Sequence, residues 1–415
     1  MNFPPVIRAL SRHKIRVCLF VAQIAVTMAI VSNALFIING NFVRINRPSG
    51  VQEDVLFLIS QSRLDLGQSD GPSDTSKQKA MMLEDISALR SSPYIESVSV
   101  VNTLPLTGTN FSSGGVALKM NQKKPTADVS YYYGDESMIE TLGLRLIAGR
   151  PFARIDIGYR TSASEDGAYS IIITNALAKA LFPGANALGK QVYLDGNTPS
   201  TIVGIVETLQ AASVAGWARG FAWNSVIIPE IKVDSYTSYA VRSKPSQLGR
   251  AMKDARDRLY AVNRMRILDD QSVKSFSDIR DAAYRQDYGV AVVMVVICII
   301  VLTITGGGIL GVSSCWVAQR RRQIGIRRSL GARKMDIALY FVYENIVVTS
   351  VGVLFGLLSS LALHGYLRQG FEMDALRFPF LANAAVIVFC VSLIGVTVPA
   401  WRGSRVSPMV ATRNI

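Results

Sequence analysis

Residues Gly184-Ala185-Asn186-Ala187-Leu188-Gly189-Lys190 have the spacing of a phosphate-binding loop. In such a loop backbone N–H groups cradle the phosphates, the lysine reaches the outer ones, and a following Ser or Thr holds magnesium. A helix must also begin there, with its N-terminus facing the anion. Here Gln191 follows, then a strand-like run over residues 191–194, so both requirements fail. Other reactive residues are few. His13 and His364 are the two histidines and lie far apart in sequence, which argues against a His-rich metal site. Cys18, Cys298, Cys315 and Cys390 all fall in or at the ends of apolar runs, so neither a disulfide framework nor a cysteine metal site is implied. A nucleophile–base–acid constellation would lack a histidine in the large middle segment. The sequence predicts a non-catalytic chain with no cofactor or metal of its own.

The residues that stand out are basic. Residues 319–334, QRRRQIGIRRSLGARK, hold seven basic residues and no acid, directly after a long apolar run. Ile324, Ile326, Leu330 and Ala332, with Gly325 and Gly331, set an apolar pattern inside that charge. Orientation in a membrane needs charge alone. The added pattern fits a surface that docks another protein.

The elements that position this segment are membrane spans. The chain is 49% hydrophobic, with a mean hydropathy of +0.28. Four apolar runs, residues 17–38, 289–317, 337–363 and 380–400, each meet the roughly 20 residues needed to cross hydrocarbon. A cleaved signal peptide competes for the first. Its apolar core is usually about 7–15 residues and ends at a small-x-small site, whereas this run is longer and passes into Ile37-Ile38-Asn39-Gly40. Gln23, Thr27, Ser32 and Asn33 are expected to face other helices, where their polar groups can be satisfied. Gly306-Gly307-Gly308 removes three consecutive side chains from the second span and is expected to permit close packing or a hinge. Glu344, early in the third span, is expected to pair with a nearby Arg or Lys.

Charge then gives the topology. The N-terminal flank, residues 319–334 and the tail after the fourth span carry fourteen basic residues against the single acid Asp336. Residues 41–287 hold 28 basic and 26 acidic residues, and the loop 364–379 is balanced. Nearly all of the net charge of +14 therefore lies on one side. By the positive-inside rule both termini and residues 319–334 face the cytosol and the middle segment lies outside. No nucleic-acid partner is needed to explain the charge. The fold class expected is an α-helical membrane protein with four transmembrane helices and a large α+β extracytoplasmic domain between the first and second. The divisions are 1–16 (a charged flank or an amphipathic surface helix), 17–38, 39–288, 289–317, 318–336 (the docking segment), 337–363, 364–379, 380–400 and 401–415.

Within the middle segment, strands are expected at 51–60, 95–101, 115–120, 128–133, 144–147, 170–173, 191–194, 201–206, 225–228 and 238–242. Residues 66–76 look like a polar loop, and Asp74 or Thr75 could cap a helix running through Leu89. Short helices are expected at 136–141 and 175–181, the second capped by Thr174, and an amphipathic helix at 246–260. Phe111 and Tyr131–Tyr133 are expected to serve packing. Val273, Phe276, Ile279 and Ala283 recur at helical spacing, so residues 270–288 are expected as a helical stalk into the second span. A continuous helix from 270 to 317 would be about 70 Å long; the alternative is an ordinary juxtamembrane helix with a hinge at Gly289.

Against this background, Ile324-Gly325-Ile326-Arg327-Arg328-Ser329-Leu330-Gly331-Ala332-Arg333 resembles the signature of permease subunits of the MacB/FtsX-like ABC transporters. Leu142-Gly143-Leu144 through Ala148-Gly149-Arg150-Pro151-Phe152 resembles that family's external-domain motif, as does the stretch 172–190 followed by Ile202-Val203-Gly204-Ile205-Val206. Pro399-Ala400-Trp401-Arg402 through Val406-Ser407-Pro408-Met409 is similar to its C-terminal pattern. The resemblance covers most of the chain. It implies a permease dimer, of like or unlike subunits, on two ABC ATPase subunits at the cytosolic face. It further implies a place in the bacterial cytoplasmic (inner) membrane, ATP and magnesium on that partner, membrane lipid around the spans, and a periplasmic adaptor as a further candidate partner. The function implied is transmission of ATPase-driven motion to an external domain for export or extraction of a substrate. By this resemblance Ile324, Gly325, Ile326, Arg327, Arg328, Leu330, Gly331 and Ala332 form or support the coupling surface. Gln319 and Gln323 stand where the signature often has acids. No ATPase domain is legible in the sequence, so a separate ATPase is expected. Two other readings remain: a regulator that activates an external partner such as a cell-wall hydrolase, and a receptor with an unrelated cytosolic effector.

Overall fold

The computed structural model describes residues 14–63, 72–160, 169–233, 236–269, 271–371 and 375–405. In chain order these form α1 (Lys14–Ile45), β1 (Leu56–Arg63), α2 (Pro72–Arg90), β2 (Ile95–Val101), β3 (Ser112–Ala117), β4 (Ala127–Tyr133), α3 (Met138–Leu142) and β5 (Leu146–Gly149). Next come β6 (Gly158–Arg160), β7 (Tyr169–Thr174), α4 (Asn175–Leu181), β8 (Gln191–Leu194), β9 (Thr198–Val206), β10 (Ser225–Ile228), β11 (Glu230–Lys232) and β12 (Tyr236–Ser243). The chain continues through α5 (Leu248–Val262), β13 (Arg266–Ile267), β14 (Val273–Ser275), α6 (Phe276–Gln319), α7 (Arg321–Ser329), α8 (Lys334–Phe371) and α9 (Phe378–Ser404). Contacts divide it into two units: residues 1–46 with 286–415, and residues 47–285.

The first unit holds the spans. Among the described residues four helices, including Val17–Ile45 and Phe276–Gln319, are long and apolar enough to cross a membrane. Polar side chains join them as the sequence predicts, because a hydroxyl or amide in hydrocarbon needs a partner. The Thr27 and Thr305 hydroxyls are 2.7 Å apart, and the Gln23 amide donates to the Ile304 carbonyl. Ser32 meets the Ser360 hydroxyl, the Asn33 amide donates to the Ser360 carbonyl at 3.3 Å, and His364 Nδ1 donates to Asn33 Oδ1 at 3.1 Å. Ser392 of α9 bonds Asn345 and Thr349 of α8 at 2.7 Å each. Near the other end of α1, Arg44 pairs with Asp287 at 2.8 Å.

The second unit carries two main sheets. In the first, the order β13–β1–β12–β2 is extended by β14 pairing on β1. Helices α2 and α5 cover it, with Met82, Ile86, Leu89, Ala251, Ala255 and Leu259 packed on Phe57, Ile59, Val98 and Tyr239. Asp85 and Arg266, both nearly inaccessible, pair at 2.9 Å. Gln61 and Tyr239 complete their hydrogen bonds, which is how a buried charge pair avoids its desolvation penalty. The second sheet runs β5–β9–β7–β10–β4–β3–β8, and β8 pairs back onto β9. Six strands thereby close into a ring, which removes the open edges a flat sheet would present. Val116, Val129, Tyr131, Ile171, Ile173, Val192, Ile202 and Val226 lie in its core with Leu177 and Leu181 of α4. Strands β6 and β11 form a separate parallel pair.

Several expectations shift. The stalk helix expected over 270–288 begins at Phe276, because Val273–Ser275 pair with Phe57–Ile59 as a strand. Ser275 and Asp278 then form a reciprocal cap: the Asp278 N–H donates to the Ser275 hydroxyl, and the Ser275 N–H to the Asp278 carboxylate. Helix α2 starts at Pro72, ahead of Asp74 and Thr75, since proline suits a first helical turn. Residues 66–71 of the polar loop lie outside the described residues, as do 64–65, 1–13 of the basic flank and 406–415 of the tail. Thr174 does precede α4, but its hydroxyl donates to the Trp223 carbonyl and so ties β7 to the start of β10.

Candidate coupling segment

Helix α7 lies between the end of α6 and the start of α8, and both its ends are built from local rules. At its C-terminus Gly331 has φ +93°, a left-handed conformation that costs an L side chain. The Gly331 N–H donates to the Arg328 carbonyl and the Ala332 N–H to the Arg327 carbonyl, each at 3.1 Å. That double bond pattern ends a helix and reverses the chain. At the next helix start, the Asp336 carboxylate accepts the Arg333 N–H at 3.1 Å. The one acid among the fourteen flanking basic residues thus caps α8, where the helix dipole also favours negative charge.

The candidate coupling residues divide by direction. Ile324 and Gly325 are buried. Ile324 packs with Val317 of α6, Ile337 and Phe341 of α8 and Ala400 of α9, so it seats the helix and is not part of an exposed face. Ile326 and Leu330, four apart and therefore on one face, are outward; Leu330 is 82% exposed. Arg327 is exposed beside them, with its guanidinium 5.1 Å from the Tyr340 ring centroid. Arg328 is half-buried. Gly331 and Ala332 act through the turn. A basic surface bearing two aliphatic knobs results, anchored from beneath.

One further contact anchors it. Arg320, at the junction of α6 and α7, makes two hydrogen bonds to Glu344 of α8, at 2.7 and 3.1 Å. The Glu344 side chain is 1% exposed. The partner expected for Glu344 is therefore Arg320, in the fork geometry that only a guanidinium supplies.

The glycine triplet is less uniform than its sequence suggests. A Cβ on Gly308 would come within 2.5 Å of the Gln23 amide, one on Gly306 would make an ordinary contact with Val391, and one on Gly307 would meet nothing. Helix α6 runs through all three without a break. Two helices also approach closely at Gly352 and Gly356 of α8, where a Cβ would lie 2.7 Å from Ile24 Cβ and 2.5 Å from Met28 Cβ of α1. The GxxxG spacing of this pair is a legible sequence signal for helices in close contact, less conspicuous than the adjacent triplet.

In the second unit, the stretch Gly184–Lys190 follows α4 and leads into β8, and the Lys190 ammonium lies 4.2 Å from the Phe182 ring centroid. It is a strand-entry turn and not a helix-opening phosphate cradle. Tyr131 and Tyr132 are buried, in keeping with packing. Burial, and next the Asp195 carboxylate, push the Tyr131 phenol far above its ordinary pKa. Tyr133 and Phe111 instead border a cavity of about 240 Å³ together with Tyr236, Glu230 and Lys232.

Residues 19–267 match the MacB-like periplasmic core domain. Residues 295–408 match the FtsX-like permease C-terminal domain. A Macrolide export ATP-binding/permease protein MacB of Bordetella avium (strain 197N) is 24% identical over 97% of this chain and 58% of its own length. A MacB protein of Hahella chejuensis (strain KCTC 2396) is 28% identical over 80% of this chain and 48% of its own length. The chain thus spans somewhat over half of the relatives it matches most fully. The crystal structure of the periplasmic region of MacB from Actinobacillus actinomycetemcomitans aligns with 58% of this chain and 97% of its own, at 17% identity and a TM-score of 0.34. With two matched domains that between them cover most of its residues, and four apolar helices with a large mixed α and β unit between the first and second, the chain belongs to the MacB/FtsX-like permease family of ABC transporters.

Proposed function

We propose that this chain is the non-catalytic membrane subunit that couples an ABC ATPase at the cytosolic face to its large unit on the other side of the membrane. The transported or extracted molecule would be handled there. The observation that carries the reading is α7. Its inner face is buried against α6, α8 and α9 through Ile324, while Ile326, Arg327 and Leu330 are presented outward. A load on that outer face is delivered directly to the ends of two span helices, one through Arg320 and the other through Glu344. The exposed aliphatic pair supplies apolar area for docking, and the arginines steer an acidic partner surface toward it. The MacB relatives are named as export proteins that combine ATP-binding and permease functions. Export is accordingly the activity we assign to the assembly. ATP and magnesium would sit on the ATPase.

Purification of the tagged full chain from its native membrane, in mild detergent with a non-hydrolysable ATP analogue, tests this. Co-purification of an ABC ATPase is the expected result, and a second permease species beside it would make the assembly a heterodimer. A folded, stable chain that brings down no ATPase overturns the coupling assignment.

A further inference from the structure

Two loops of the second unit, residues 104–111 and 208–224, run side by side. The Gly108 N–H donates to the Ala212 carbonyl at 2.9 Å. Their position within the unit is fixed by Gln210. Its backbone N–H donates to the Ser49 carbonyl at 2.9 Å, and its side-chain amide to the Tyr284 hydroxyl at 2.8 Å. Gly50 is equally close, since a Cβ there would lie 2.2 Å from the Thr208 carbonyl oxygen. Ser49 is four residues past the end of α1, and Tyr284 is five residues before the apolar run that begins at Gly289. Gln210 thus ties the second loop to the two segments by which the chain enters and leaves this unit.

These loops expose rings. Trp217 is 54% exposed, stacks on Phe111 with centroids 5.6 Å apart, and lies 5.6 Å from Phe221. Phe111 is itself partly exposed, and Phe221 roots the group against Ala211 and Ala218. Charge is nearly absent. Residues 102–118 contain no charged side chain, and residues 208–224 contain only Arg219, which is exposed. The unit as a whole is densely charged, so these uncharged stretches with an outward tryptophan are a local departure. Aromatic side chains are stable at headgroup level, where the ring is desolvated and the indole N–H still finds a partner. A single arginine beside them suits anionic lipid.

We propose that the Phe111–Trp217–Phe221 face is a membrane-surface anchor that inserts into the headgroup region of the leaflet next to which the chain enters and leaves this unit. It holds the unit against the bilayer independently of the two covalent connections.

Trp217 reports directly on the idea. In the full-length chain, Trp223, Trp316 and Trp401 are replaced by Phe, and the protein is placed in nanodiscs of phosphatidylcholine and phosphatidylglycerol. We expect Trp217 emission to be blue-shifted, quenched by lipid brominated near the headgroup end of its acyl chain, and shielded from acrylamide by about twofold or more, as for interfacial tryptophan. Emission at the fully hydrated wavelength, quenched by acrylamide and untouched by brominated lipid, overturns the proposal. Shielding that appears only when an extracytoplasmic protein or an exported compound is added also overturns it, and makes the face a docking site for that partner. Hydrogen exchange on the unaltered chain guards against misfolding of the variant. Amides 213–221 should exchange more slowly in nanodiscs than in amphipol, and equal rates count against the anchor.

Discussion

At the scale of single residues, the Arg320–Glu344 pair ties the junction of α6 and α7 to α8, beside the packing of Ile324 on Ile337 and Phe341. Removing one partner of a buried pair strands the other charge, at a cost of about 3–5 kcal/mol. Glu344→Ala should therefore lower the thermal stability of the chain in nanodiscs sharply. Adding Arg320→Met should recover much of the loss, and a double-mutant cycle measures the difference. A weaker pair lies in the other unit. The Arg150 side chain, bonded to Asp156 at 2.6 and 3.0 Å, holds the Asp156 carboxyl below the ordinary range, with help from the Ala153 N–H. A carboxylate whose folded pKa is depressed stabilises the fold above its unfolded pKa, and that contribution is lost as pH falls through the folded one. Arg150 is half exposed, which limits the effect to no more than about 1 kcal/mol. Arg150→Ala should melt slightly earlier than the natural chain near neutral pH, and the two melting curves should converge as pH falls below the ordinary carboxylate range.

At the scale of elements, the small residues of the spans separate by what they touch. Gly356 is pressed against Met28 and Ala25 of α1, and Gly307 faces open space. Gly356→Leu should separate α1 from α8 and reduce folded yield and melting temperature, an overpacking cost of about 1–3 kcal/mol or more. Gly307→Ala should be neutral or raise stability by about 0.5–1 kcal/mol, because alanine is the better helix former. Equal effects of the two changes would refute the packing assignment. The triplet Gly306–Gly308 attracts attention in the sequence because its members are adjacent. Adjacent residues on a helix point in three directions, however, whereas Gly352 and Gly356 share one face.

At the scale of the whole molecule, the proposed coupling rests on a charged, exposed helix face whose removal should leave the fold intact. Arg327→Glu with Arg328→Glu should insert and fold as the natural chain does, while stimulation of the partner ATPase falls by roughly tenfold, the effect of about 1.4 kcal/mol of lost coupling. Unchanged stimulation would place the docking surface elsewhere. The mutation should leave the structure of residues 47–285 unaltered, since that unit has its own two cores.

Much of this architecture is decided by chain-local physics, and so it is present in the sequence. Length and apolar content make the four spans, because an uncharged run of that size has no other stable environment. Gly331 and Asp336 mark a helix end and a helix start through bonds to residues within five positions. Polar residues such as Thr27 and Asn33 announce that they face protein, since hydrocarbon offers them nothing. Partner choice is another matter. That Asn33 meets Ser360 and His364, that Glu344 takes Arg320 and not a neighbouring arginine, and that Val273–Ser275 pair with β1 although their apolar spacing suits a helix, are outcomes of three-dimensional proximity between distant segments. The inward turn of Ile324 and the outward turn of Ile326 were likewise settled only when α7 packed onto α6, α8 and α9. Two isoleucines two positions apart are chemically equal until a neighbour covers one of them.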